Sequence, residues 1–176
     1  MRINPNFKRA GTHIPTLLKV IPLTTGDVCE MGAGLNSTAL LHWLCQGRNL
    51  VTYENDPDYY RLGKQFQTWT HKVRKIENWD EVDFERHWSV VFIDHTSDRG
   101  KNPHRRGDDA IKFTNADIII LHDTEPDVRN RAREKDHYGY EQVWAKFKYR
   151  YDWKECLPYT SVVSNTIDVT KWNSQS

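Results

Sequence analysis

No stretch of the sequence stays apolar for the roughly 18–20 residues that a bilayer-spanning helix needs. The opening segment, Met1 to Lys19, also lacks the apolar core of about 7–15 residues that follows the basic start of a secretory leader. A membrane span and leader-driven secretion are both disfavoured, and a cytoplasmic location is expected. Cysteine is scarce: Cys29, Cys45 and Cys156 are the only three. Their odd number and wide spacing exclude a disulfide framework and suit reduced packing residues. Charge of one sign is lacking too, since 25 Lys and Arg oppose 24 Asp and Glu for a formal net charge of +1. No global field would hold the chain on nucleic acid or an anionic membrane. With no internal repeat, low-complexity tract or linker, 176 residues suit one core better than two. One domain, 1–176, with one site is expected.

What the chain does have is a regular alternation of short apolar runs and helical patterns. Seven Trp, eight Tyr and six Phe supply large side chains for a core. Thr12 to Ile21 carries Ile14, Leu17, Leu18 and Ile21 at helical spacing, with Pro15 in the first turn. Asp27 to Met31 reads as a strand that stops at Gly32-Ala33-Gly34, and Ser37 to Gln46 reads as a helix closed by Gly47. Leu50 to Glu54 is a second strand. Pro57 to Trp69 is a second helix, with Tyr60, Leu62, Phe66 and Trp69 available for one face. A polar third strand is expected at Lys72 to Ile76. Val90 to Ile93 is a near-continuous apolar run, as in a central parallel strand buried on both faces, and Asp117 to Leu121 reads as a second fully buried strand. Between them, Thr96 to Asp108 reads as a long mobile loop, followed by a short helix near Asp109 to Phe113. Asp127 to Tyr151 holds one or two helices. The runs around Trp153 to Leu157 and Thr160 to Val169 can pair across Pro158. The expected fold is α/β, a Rossmann-like three-layer sandwich with a mainly parallel sheet and a C-terminal antiparallel hairpin.

In such sheets ligands gather at the carboxyl ends of the strands, where the strand order reverses. Glu30-Met31-Gly32-Ala33-Gly34-Leu35-Asn36 falls at one such end, where glycines admit a ligand to the backbone and a helix start offers free N–H groups. Glu54 ends the next strand, where a carboxylate can accept the hydroxyls of a ribose. Asp94, His95, His122 and Asp123 end the two most apolar strands, and such groups there must face a cleft or find buried partners. Arg99, Arg105 and Arg106 lie in or beside the loop. Arginine suits bidentate capture of an acidic acceptor, and a solvated loop is the plainer alternative.

Glu-Met-Gly-Ala-Gly-Leu-Asn followed by Tyr-Glu-Asn-Asp resembles the first two motifs of class I S-adenosylmethionine-dependent methyltransferases. Phe92-Ile93-Asp94-His95 and Ile119-Ile120-Leu121-His122-Asp123-Thr124 are similar to the fourth and fifth strand ends of a subgroup related to small-molecule O-methyltransferases. The resemblance spans roughly Asp27 to Thr124. It implies S-adenosylmethionine as cofactor, with Glu30, Gly32, Ala33, Gly34 and Asn36 at its amino-acid part, Glu54 at the ribose and Asn78 or Trp79 at the adenine. Trp79 as a core aromatic is an equal alternative. Asp94 would adjoin the cofactor and, with His95 and Asp123, carry the chemistry. His122, Arg99, Arg105 and Arg106 would meet a small-molecule acceptor, although a structural role for His122 stays open. In metal-dependent relatives carboxylates at these two strand ends bind a divalent cation. Asp94 and Asp123 match two such positions, but Thr124 replaces the amide that usually follows. Asn36 replaces the third glycine of the family's loop. The competing readings are a nucleic-acid methyltransferase, a non-methylating S-adenosylmethionine-binding protein and a nicotinamide-dependent oxidoreductase. The first lacks an Asn/Asp-Pro-Pro-Tyr motif and basic charge. The last lacks the third fingerprint glycine, Ser37 standing there.

Overall fold

The structure, a computed structural model, describes residues 11–96, 105–126 and 138–174. A short helix, α1 (Ile14–Val20), precedes strand β1 (Val28–Met31), helix α2 (Ser37–Leu44), β2 (Leu50–Glu54), α3 (Pro57–Lys64) and β3 (His71–Lys75). The second half runs β4 (Trp88–Ile93), α4 (Arg105–Ala110), β5 (Ala116–His122), α5 (Glu141–Lys146), β6 (Tyr149–Trp153) and β7 (Thr160–Ser164). One seven-stranded sheet has the order β3-β2-β1-β4-β5-β7-β6. β1 to β5 pair in parallel, and β7 runs antiparallel between β5 and β6. The chain winds outward from β1 to β3, then returns to β4 beside β1. The topological switch therefore lies between the carboxyl ends of β1 and β4.

Alternate residues of the central strands feed two cores, as the period of two along a strand requires. Cys29, Met31, Val91, Ile93, Ile119 and Leu121 pack with Trp79, Trp88, Phe113 and Val143. Val28, Val90, Phe92, Ile118 and Ile120 pack with Leu17, Val20 and Leu41. Both faces of β1, β2 and β4 are covered, as in parallel strands flanked by helices on both sides, and β4 accordingly reads as an apolar run. The three-layer α/β expectation holds.

Several local expectations are corrected. α3 ends at Lys64, where backbone turns through Phe66 and Gln67 replace the last expected turn, and Trp69 is 88% exposed, packed on no core. The short helix after β4 starts at Arg105, not near Asp109, and five of its six residues are buried, so its arginines belong to the interior and not to a mobile loop. The charged helical stretch expected at Arg131 to Lys135 lies outside the described residues. No described helix is long and apolar enough to cross a membrane.

Candidate functional site

A cavity of about 470 Å³ opens over the β1/β4 switch, within the size range of small-molecule sites. One wall is Gly32 to Ser37 with Glu54, Asp56 and Tyr59; the other is His13, Asp94, Thr96, Arg106, His122, Asp123 and Pro158.

The first wall is held by backbone. Gly32 has φ of +95°, and a Cβ there would stand 2.7 Å from the His95 backbone, so only glycine lets β1 and β4 end side by side. Gly32 N–H donates to Tyr53 O at 3.0 Å, and Asp94 N–H donates to Met31 O at 2.9 Å. Glu54 accepts from Ala33 N–H at 2.7 Å through Oε2, and from Asn55 and Asp56 N–H at 2.8 and 2.7 Å through Oε1. Burial raises its pKa, opposed by these bonds. A carboxylate has about four acceptor positions, so three are in use and roughly one remains for a ribose hydroxyl, fewer than the two hydroxyls the sequence suggested. Glu30 lies beneath the loop and does not line the cavity. It accepts from Thr52 Oγ1 at 2.7 Å and from Thr38 Oγ1 at 3.0 Å, and Thr38 Oγ1 in turn accepts from Gly34 N–H at 2.9 Å. Desolvation pushes the Glu30 carboxyl up to about 7. Glu30 thus acts as the internal anchor of the loop.

The second wall is held by side chains. Arg106 reaches over the strand ends, stacked on the Tyr138 ring with its guanidinium carbon 4.4 Å from the centroid. Its Nε donates to His95 O at 2.6 Å and its Nη1 to Asp123 Oδ2 at 2.9 Å, while Nη2 stands 3.1 Å from Asp94 Oδ1. A divalent ion bridging Asp94 and Asp123 does not fit this arrangement, because the guanidinium already holds the place between the two carboxylates. His122 Nε2 and Thr12 Oγ1 are 3.0 Å apart. His122 Nδ1 lies 3.1 Å from Asp94 Oδ1 and 3.7 Å from Asp123 Oδ1, without the alignment of a hydrogen bond. Burial alone would raise Asp94, but the His122 and Arg106 charges outweigh it and hold the carboxyl well below the usual range. For His122 burial lowers the pKa, and Asp94 more than reverses it.

His13, at the start of α1, is the residue that sequence reasoning missed. It is 2% exposed and packs on Phe92 and edge-on to His122, with ring centroids 5.0 and 4.9 Å apart. Neither of its ring nitrogens has a hydrogen-bond partner among the described residues. Burial and the nearby His122 charge lower its pKa to about 4. No sequence signal pairs Thr12 and His13 with His122, for the Thr12–His122 contact spans 110 residues.

Five predicted residues are not brought to the cavity. His95 follows Asp94 on the same strand end and so faces the opposite side of the sheet. There it stacks on Trp79, with centroids 4.2 Å apart, and its Nε2 lies 3.1 Å from Asp109 Oδ2. A fully enclosed imidazole so held is no general base for a ligand in the cleft. Trp79 is buried, and its indole N–H donates to Thr96 O at 3.2 Å, so it is a core aromatic and not an adenine wall. Asn78 caps the 3-10 turn Trp79–Glu81, accepting from Asp80 N–H at 2.8 Å. Arg105 is spent on Asp109 and Asp80, at 2.7 and 2.8 Å. Glu30 completes the five. Arg99 lies outside the described residues. Gly32, Ala33, Gly34, Asn36, Glu54, Asp94, Arg106, His122 and Asp123 do line one cavity.

No protein-family model and no curated protein matches the sequence. Solved structures do match in shape. A caffeoyl-CoA O-methyltransferase-like protein from Staphylococcus aureus superposes with TM-score 0.61 at 14% identity, covering 85% of this chain and 83% of that one. The class I methyltransferase fold is the fold of this chain. The N-methyltransferase NodS from Bradyrhizobium japonicum gives TM-score 0.60 at 7% identity, over 94% of this chain and all of its own. The N-terminal domain of human METTL16, in complex with SAH, gives 0.60 at 12% identity, covering 88% and 69%. Identities this low establish the fold alone, and the fold by itself does not fix a reaction.

Proposed function

We propose that this methyltransferase-fold chain is an S-adenosylmethionine-dependent methyltransferase acting on an oxygen of a small molecule. The observation that carries the reading is one cavity over the β1/β4 switch, with a glycine loop and a ribose-competent carboxylate on one wall and a cluster of ionisable side chains on the other. S-adenosylmethionine, when bound, supplies an electrophilic methyl group on a sulfonium. The start of α2 and the Gly32 to Asn36 backbone would take its carboxylate end, and Glu54 one ribose hydroxyl. The acceptor would lie against Asp94, His122 and Asp123. There Asp94 would orient the acceptor hydroxyl, and His122 in its neutral form would take the proton lost as the acceptor oxygen gains the methyl group that the sulfonium gives up. Arg106 holds Asp94 and Asp123 in place.

Calorimetry with S-adenosylmethionine, followed by an acceptor screen that detects adenosylhomocysteine, tests the proposal. Saturable binding that weakens in Glu54→Ala, with product from a hydroxyl acceptor, is the expected outcome. Product only from amine acceptors would move the reading to nitrogen, and salt-sensitive retention on RNA would move it to nucleic acid. Preference for a nicotinamide cofactor would end it.

A further inference from the structure

The second wall holds a cluster that the carboxylate-bridging metal of the resemblance does not describe. His13, Asp94 and His122 each offer one ligand atom, and the three atoms lie within 4.8 Å of one another. Two come from strand ends, and the third comes from the start of α1, on the far side of the chain in sequence. We propose that these three residues form a binding site for a first-row divalent transition metal that favours imidazole nitrogen, such as zinc, cobalt or iron, and not for magnesium.

The donor set sets the preference. Two imidazoles and one carboxylate suit zinc, iron and their neighbours, whereas magnesium takes oxygen ligands in a near-octahedral shell. Ligands about 2.0–2.2 Å from an ion stand roughly 3–4 Å apart, so small side-chain shifts close the site. His13 supports a ligand role independently, because a buried polar ring normally finds a partner, and this one, on the cavity wall, has none at either nitrogen. His122 Nδ1 faces Asp94 Oδ1 at 3.1 Å, while its Nε2 is 3.0 Å from the Thr12 hydroxyl. A metal-bound imidazole is held in this way, its far N–H donated to a fixed oxygen that sets the tautomer and ring plane. With His122 neutral, as a metal-bound imidazole must be, Asp94 and Asp123 carry two negative charges against the single charge of Arg106, so a cation would take the place of the His122 proton. The ion would keep its remaining positions open to the cavity, beside the place the proposed reaction gives to the acceptor oxygen. Its role in that reaction rests on the methyl-transfer reading; its binding does not.

The test uses chelator-treated full-length protein and cobalt(II) as the probe, read by visible d–d absorption and by titration calorimetry, without cofactor or turnover. One cobalt per chain, competed by zinc and untouched by excess magnesium, is expected. Thr12→Val, which keeps the shape and removes the supporting hydroxyl, should weaken cobalt binding by about 10–100-fold. His13→Gln should weaken it further, and melting curves of the metal-free variants show that each is folded. No saturable cobalt binding in the parent, or displacement by magnesium, would overturn the proposal. So would binding that survives His13→Gln but is lost in His42→Ala, since His42 and His71, with Nδ1 atoms 3.2 Å apart, form another histidine pair. S-adenosylmethionine affinity of the same metal-free protein is measured separately. Cofactor binding without cobalt binding removes the metal site alone, and cobalt binding without cofactor binding removes the methyl-transfer reading alone.

Discussion

The two walls of the cavity are built on opposite plans. The glycine-loop wall comes from neighbouring segments, Glu30 to Thr38 and Thr52 to Asp56, and is fastened by backbone N–H groups that converge on Glu54. The ionisable wall draws on α1, β4, α4 and β5, and is fastened by side-chain charge around Arg106. Main-chain donors cost nothing to retain when a side chain changes. A buried guanidinium facing two carboxylates is different, because removing it leaves uncompensated charge in a poorly solvated place. Gly32 apart, the first wall should therefore tolerate substitution by losing affinity, and the second should lose the fold or the chemistry.

The largest effect that separates the walls is expected at Arg106. Arg106→Leu should destabilise the protein by about 3–5 kcal/mol in urea unfolding. Arg106→Lys should restore only part of that, since one ammonium cannot serve the separate acceptors that the planar fork reaches. A loss below about 1 kcal/mol would mean the ion cluster is not what fastens this wall.

Next comes Asp94→Asn, with a turnover loss on the order of 10²-fold and S-adenosylmethionine affinity changed little. Equal losses in both would place Asp94 on the cofactor side and blur the division between the walls. Glu54→Ala should show the reverse pattern. Cofactor binding falls by roughly 1.5–3 kcal/mol for a lost charge-assisted bond, with a measurable drop in melting temperature because three backbone donors lose their acceptor. Unchanged affinity in a folded variant would remove the ribose assignment.

The smallest effect belongs to Glu30. Its carboxyl is neutral in the folded state until pH approaches about 7, above its unfolded value, so its favourable contribution is complete below the unfolded pKa and is lost as pH rises through 7. Between about pH 6 and pH 8 this removes on the order of 1 kcal/mol of stability. Urea unfolding of the parent and of Glu30→Gln across that range isolates the term, because the buried His13 and His71, both lowered to about 4, are common to the two proteins. A difference that stays flat with pH would show that Glu30 is ionised throughout.

The glycine loop and Glu54 were legible in the sequence because both are local: a strand run, a turn and a helix start within a few residues. Asp94 and His95 were legible only as a pair at a strand end. Which one faces the cavity depends on the pleat, and the pleat could not be phased until the packing of Trp79 and Phe92 on opposite faces was known. The arginines misled for a related reason. A Gly-, Pro- and Arg-rich segment reads as solvated loop, yet Arg105 and Arg106 sit in a buried helical turn because Asp109 one turn on meets Arg105, and Asp80, Asp94 and Asp123 come from elsewhere to meet the pair.

The sequence by itself determined the alternation of strands and helices, the mainly parallel sheet and the strand ends at which a ligand would gather, since each follows from short-range periodicity and turn chemistry. Only the tertiary structure decided that Arg106 stands between the two carboxylates, that His95 and Trp79 turn into the core, and that His13 joins Asp94 and His122. These are meetings of side chains distant in the chain, brought together by the return of the sheet at its switch point, and no local pattern encodes them.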